Sequence, residues 1–203
     1  EDSTALNTYV SQNRILNDGL FIPDPYRLPP QKLSEIEQRI DRAEQSIYSG
    51  DYNEFSKYPD YLNLKKFYDY FILYELFGNS ASAHLSHYLY DEQLQQFWPV
   101  VHNDFEYSLD NEQRVPMELD SFEMIGTPYF PQLTKSVDFV HGLLDRYREL
   151  SQGVLSSRNL SERIDRIAAL LGDSRVRDWS RWQAVYTGPD RYRLDEAAVN
   201  PSD

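Results

Sequence analysis

The sequence contains no cysteine. Disulfides, thiolate zinc sites and a cysteine nucleophile are thereby excluded within its 203 residues. Apolar runs are short, and none approaches the ~18 residues of a membrane span. The first residues, Glu1 to Asn7, are polar and acidic and carry no signal-peptide pattern. Glycine is sparse, with 8 in all, and none builds a phosphate loop of the P-loop or dinucleotide type. HExxH and GxSxG are absent as well. Positive charge is in short supply: 20 Lys and Arg stand against 33 Asp and Glu, for a net charge of −13. Such a field repels a phosphate backbone. Arg175, Arg177, Arg181, Arg191 and Arg193 do gather near the C-terminus, but Asp173, Asp178, Asp190 and Asp195 interleave with them. That reads as a mixed solvated surface, so no nucleic-acid partner is expected. Cations, proteins or polar small molecules suit the charge better.

Apolar residues, at 40%, are plentiful enough for a globular core. Aromatics are abundant, with 16 Tyr, 10 Phe and 3 Trp. Half-buried packing accounts for most of them, since tyrosine tolerates a surface through its polar tip. Exposed rings would instead make a platform for sugars.

Hydrophobic spacing predicts a mainly α chain with one small β-hairpin, an α+β arrangement. Residues 1–30 read as a Pro-rich arm or linker, with four prolines in Phe21 to Pro30. Residues 31–186 read as the helical lobe, and 187–203 as a tail. A first helix starts at Pro30, places Leu33, Ile36, Ile40, Ala43 and Ile47 on one face, and ends at Gly50. A second runs from Asn63 to Leu76 and stops at Gly78-Asn79, with Leu64, Phe67, Tyr68, Phe71, Ile72 and Leu76 on its core side. The hairpin pairs His84–Tyr90 with Gln96–Val101. Residues 112–132 read as irregular. Three further helices follow: Thr134–Gln152, a helix capped by Asn159 with Glu162 completing a capping box, and Asp173–Gln183 with Trp179 and Trp182.

Two constellations bear on chemistry. His84, His87 and His102 lie near the hairpin, but strand positions three apart face opposite sides, which disfavours a shared metal. Asp104-Phe105-Glu106 follows an apolar strand, and alternation sends both carboxylates the same way. Paired oxygen donors suit a hard cation such as Mg²⁺, and Asn79, just past a helix stop, offers another oxygen. The same pattern also describes an acidic loop with solvated carboxylates.

Tyr61 to Tyr90 reads YLNLKKFYDYFILYELFGNSASAHLSHYLY. This stretch resembles the CotH-type spore-coat kinase segment with the pattern I-D-Y-F-L-x-N-E-L-x-x-N-x-D, followed by S-x-Y-L-Y. Glu75-Leu76 matches its E-L, Asn79 its Asn, and Ser86, Tyr88, Leu89 and Tyr90 its strand. Pro99-Val100, Asp104-Phe105-Glu106 and Asn111 resemble the family's next element, G-P-V-W-D-F-D-x-x-x-G-N. Arg146 to Leu155, Ile164-Asp165 and Arg181-Trp182 resemble its closing helices. The resemblance spans about residues 33–185. It implies the C-terminal lobe of an atypical protein-kinase-like fold, with ATP and a divalent metal as cofactors and a role at a spore or cell surface. Asp104 takes the place of the metal-binding Asp, Glu106 that of the second Asp, and Asn79 that of the N-x-D asparagine. An ungapped alignment instead puts His102 first and Asp104 second.

This chain also departs from the pattern. The N-x-D aspartate, which resembles a kinase catalytic-loop acid, falls on Ala81, and alanine cannot accept or orient a hydroxyl proton. The Trp of W-D-F-D is missing. The family's nucleotide-gripping lobe would precede about residue 30, where only the Pro-broken arm is found. The reading expected from this is a degenerate kinase-fold lobe serving as a binding or structural module with a protein partner. The alternatives are an active ATP- and Mg²⁺-dependent protein kinase whose N-lobe lies outside this chain, and an exported surface or glycan-binding protein.

Overall fold

A computed structural model describes residues 29–79, 88–91, 93–101, 105, 108 and 121–187. Helix α1 is Pro30–Ile47, α2 is Tyr52–Phe55, and a 3-10 turn covers Tyr58–Asp60. Helix α3 is Leu64–Phe77. Strands β1 (Tyr88–Asp91) and β2 (Gln96–Pro99) follow, then a second 3-10 turn, Glu123–Gly126. The chain continues through α4 (Phe130–Leu133), α5 (Val137–Gln152), α6 (Ser157–Leu171) and α7 (Ser174–Thr187). The mainly α expectation with a single antiparallel hairpin therefore holds among the described residues.

Helix α3 is the axis of the core. Asn63 caps its start by accepting the Lys66 N–H, and Gly78 ends it in the left-handed region at φ 58°. The Gly78 and Asn79 N–H groups bond back to the Glu75 and Tyr74 carbonyls, a Schellman closure that needs a residue free of Cβ strain at Gly78. Phe67, Tyr70, Phe71, Ile72 and Tyr74 are all buried, so the helix is enclosed on more sides than one stripe. Tyr70 and Tyr74 were not among the expected core positions, and Leu76, which was, is exposed at 36%. A helix wrapped by neighbours buries residues that a one-sided stripe leaves out.

Those neighbours are α5, β2 and the second 3-10 turn. Phe67 sits among the rings of Tyr88, Phe97, Tyr129 and Phe130, at centroid separations of 5.9 to 6.4 Å. The expected α1 face is borne out at Ile40, Ala43 and Ile47, which are buried. Arg39 ties α1 to the hairpin turn and the first 3-10 turn, donating to the Gln95 and Asp60 carbonyls while lying over the Tyr61 ring. The strands pair Tyr88 with Pro99 and Tyr90 with Phe97. On its other side β2 meets Leu62, and Phe97 exchanges backbone hydrogen bonds with Tyr61 and Asn63.

Several sequence expectations are corrected. The second strand stops at Pro99, two residues before Val101, and Asp91 belongs to the first strand. Part of the stretch expected to be irregular is ordered: Glu123–Gly126 is 3-10 and Phe130–Leu133 is helical. Helix α5 starts at Val137 rather than Thr134, because Ser136 caps it through the Phe139 N–H. Ser156, not Asn159, caps α6. Asn159 lies inside that helix and turns its amide back to the Gly153 carbonyl, while Glu162 pairs with Arg158. Helix α7 extends past Gln183 to Thr187. The apolar positions of α6 do not enter the core: Ile164, Ile167 and Leu171 are all exposed. No described helix is long and apolar enough to cross a membrane.

Candidate nucleotide and metal end of helix α3

The Schellman closure of α3 places Asn79 immediately beyond the helix, where it is fully buried. Phe105 comes to the same end. Its ring stacks on Tyr74 at 5.5 Å and meets Phe77 edge-on at 5.7 Å. The middle residue of Asp104-Phe105-Glu106 is thus lodged on the last turn of α3, two residues short of Asn79. The Phe105 carbonyl then accepts the Ser108 N–H at 3.1 Å, turning the chain at once. Two segments 26 positions apart, which the sequence reading joined only through a motif, are brought together through an aromatic anchor.

Glu75 secures the floor of this end. Its carboxylate accepts the Met124 N–H at 2.6 Å, holding the second 3-10 turn against α3. Burial pushes the Glu75 carboxyl above the usual glutamate range, and the Met124 and Glu123 N–H groups pull it partly back. Sequence reading matched Glu75 to a motif without giving it a role. Its position one turn before a left-handed stop was the available signal.

A fully buried carboxylate, that of Glu44, lies in α1 and accepts the Tyr129 hydroxyl at 2.8 Å. Tyr129 has φ 72°, a strained value for a residue with a Cβ, and its N–H donates to the Tyr48 hydroxyl. Burial first, then the nearby Tyr88 and Glu44, push the Tyr129 phenol well above its ordinary value. This network braces α4 against α1 and holds the core side of α3 in place.

A family model described as CotH kinase protein matches residues 11–196. The chain belongs to the CotH kinase family. The match begins ahead of α1, inside the segment read as an arm, and runs past α7. No curated protein and no solved structure matches the chain. Of the family-matched positions, Asn79, Glu75, Leu76, Tyr88 to Tyr90 and Phe105 are described. Ala81, Asp104, Glu106 and Asn111 lie outside the described residues, as do His84, His87 and His102, the arm up to residue 28 and the tail from residue 188. Among the described residues no group of three His, Asp or Glu side chains is placed to hold a metal.

In the sequence, Asp104 and Glu106 flank Phe105, and Asn79 follows α3. Two carboxylates and an amide are hard oxygen donors of the kind Mg²⁺ takes, with phosphate and water completing its shell. Phe105, between the two carboxylates in the sequence, packs its ring on Tyr74 and Phe77 of α3.

Proposed function

We propose that this chain is a degenerate CotH-family kinase domain that binds a nucleotide with Mg²⁺ at the end of α3 and does not transfer phosphate. Asn79, Asp104 and Glu106 are the residues proposed to meet the metal and its nucleotide, with Asp104 as the principal ligand. The bound cation would neutralise phosphate charge and orient the γ-phosphate. Phe105 anchors the acidic segment, and Glu75 keeps the last turn of α3 and the 3-10 turn beneath it in register. The domain then serves as a nucleotide-responsive binding or structural module for a protein partner.

The observation that carries this reading is Ala81, where the family's N-x-D motif has its acid. Phosphoryl transfer is mostly positioning and charge stabilisation, but the acceptor hydroxyl still needs a group that orients it and takes its proton. A methyl group does neither. The experiment is phosphate transfer from γ-labelled ATP to a protein acceptor, comparing the chain with Ala81→Asp. The expected result is no transfer by the chain, with its metal-dependent nucleotide binding intact. Steady labelling of a substrate by the unaltered chain would favour the active-kinase reading instead.

A further inference from the structure

At the opposite end of α3 lies a cleft. Its floor is Tyr58 and Tyr68, its walls are Tyr48 and Phe55, and Tyr52 stands at the rim. Its volume is about 740 Å³, within the ~300–1,000 Å³ of small-molecule sites. Leu64 and Tyr68 of α3 line it, and the helix runs on from Tyr68 for about 16 Å before Asn79. It therefore shares no wall with the end occupied by Phe105.

The floor is rigid. Tyr58 bonds to Ser136 through its hydroxyl at 3.1 Å, and the Tyr58 and Tyr68 rings both pack on Phe139. The rim is open. Tyr52 is 77% exposed and has no ring partner among the described residues. A large ring held at a cleft mouth with one bare face is a stacking surface that folding does not use.

The polar groups around the rings select the ligand. The Ser56 hydroxyl is taken by the Asn53 carbonyl, Lys135 donates to Gln132, and the Asp51 carboxylate caps α2. Ser49, the Gln132 amide nitrogen and the other Lys135 protons remain as donors, and Asp138 as a carboxylate. Two carboxylates against one ammonium disfavour a phosphorylated or otherwise anionic ligand. The walls are helical turns whose backbone groups bond within the chain, so there is no strand edge for a peptide to extend. The remaining fit is a neutral ligand with apolar faces to stack and many hydroxyls to bond. We propose that this cleft binds a neutral oligosaccharide, with Tyr52 as the stacking platform and Asp138 as a hydroxyl acceptor. The site does not depend on the nucleotide end, and either can be present without the other.

The test is a titration of the whole chain against maltohexaose, cellohexaose and chitohexaose, followed by calorimetry. At least one should bind, and Tyr52→Ala should weaken it by about tenfold or more. The Tyr52 ring is exposed, so this variant keeps the fold. Asp138→Asn should weaken binding in the same direction. Tyr147→Ala, an exposed tyrosine outside the cleft, should change nothing, and nor should Asp104→Ala. Silence from all three saccharides overturns the proposal, as does equal binding by Tyr52→Ala or binding of a basic peptide in place of any sugar.

Discussion

Arg146 of α5 reaches Asp69 of α3 with its Nε 2.6 Å from Oδ1, and holds Glu149 of its own helix with Nη1 at the same distance. The guanidinium is largely buried while Asp69 is about one-third exposed. The pair joins α5 to α3. Lysine cannot serve both carboxylates from one planar fork. Arg146→Lys should therefore lose most of the coupling, and a double-mutant cycle with Asp69→Asn should give about 1 kcal/mol in chemical denaturation. A coupling near zero would mean that solvent screens the pair.

Gly142 on α5 lies directly against the Tyr68 hydroxyl, in a space that a Cβ would occupy. The absence of a side chain here sets how closely α5 approaches α3. Gly142→Ala should cost about 1–3 kcal/mol by overpacking, although alanine is the better helix former. Tyr68→Phe removes the nearest atom and should recover part of that loss, read as an interaction in denaturant melts of the two single variants and the double. If Gly142→Ala stabilises the chain, the approach is looser than this geometry states.

Glu75 gives a pH signature. Burial raises its carboxyl pKa in the folded chain, so between the ordinary glutamate value and the raised one the folded state holds more protons than the unfolded. The contribution of this group to stability consequently falls as pH rises through that window and recovers below it. Glu75→Gln keeps an acceptor for Met124 and removes the titration. The melting temperature of the native chain relative to Glu75→Gln should rise as pH is lowered from about 8 toward about 4. Glu75→Ala should cost about 1–3 kcal/mol at any pH in that range by leaving the Met124 N–H without its acceptor. A pH-independent gap between native and Gln variants would contradict the buried-carboxyl assignment.

Much of this was legible in the sequence, for reasons that differ by element. Helix α3 announces both its ends, with Asn63 as cap and Gly78 as left-handed stop, and its extent matches to within a residue. The hairpin is legible through alternation and the polar Asp91 turn, whose carboxylate accepts the Gln93 and Leu94 N–H groups. The α6 cap was misplaced because Asn159 and Glu162 satisfy a capping-box spacing, whereas Ser156 takes the role three residues earlier. Local patterns do not distinguish two candidate caps one turn apart. The apolar positions of α6 mislead differently: their spacing specifies a helix, but spacing alone does not say that a neighbour covers them. At the end of α3, the Asn79 position just past the helix stop was legible by motif. The Phe105 anchor and the Glu75 clasp were not, because both are contacts between segments distant in the chain.

Phe105 supplies a further check on that site. Phe105→Ala removes a ring stacked on Tyr74 and edge-on to Phe77. About 2–4 kcal/mol of stability should be lost, within the range of large-to-small aromatic substitutions at partly buried positions. Phe105→Leu should retain most of the stability and weaken Mg²⁺-dependent nucleotide binding, measured by calorimetry on the folded variant. Unchanged binding in Phe105→Leu would show that the ring does not position the acidic segment.

The most direct measurement is a thermal-shift titration of the purified chain with ATP, with and without Mg²⁺, alongside Asp104→Ala. Ligand that binds only the folded state stabilises it by mass action, by about 2.7 kcal/mol at one hundred times the dissociation constant, and so raises the melting temperature. Metal-dependent nucleotide binding at the end of α3 gives a rise with ATP that requires Mg²⁺ and is lost in Asp104→Ala. No rise under any condition, or one that Asp104→Ala leaves unchanged, would contradict the placement of a nucleotide and its metal at the end of α3.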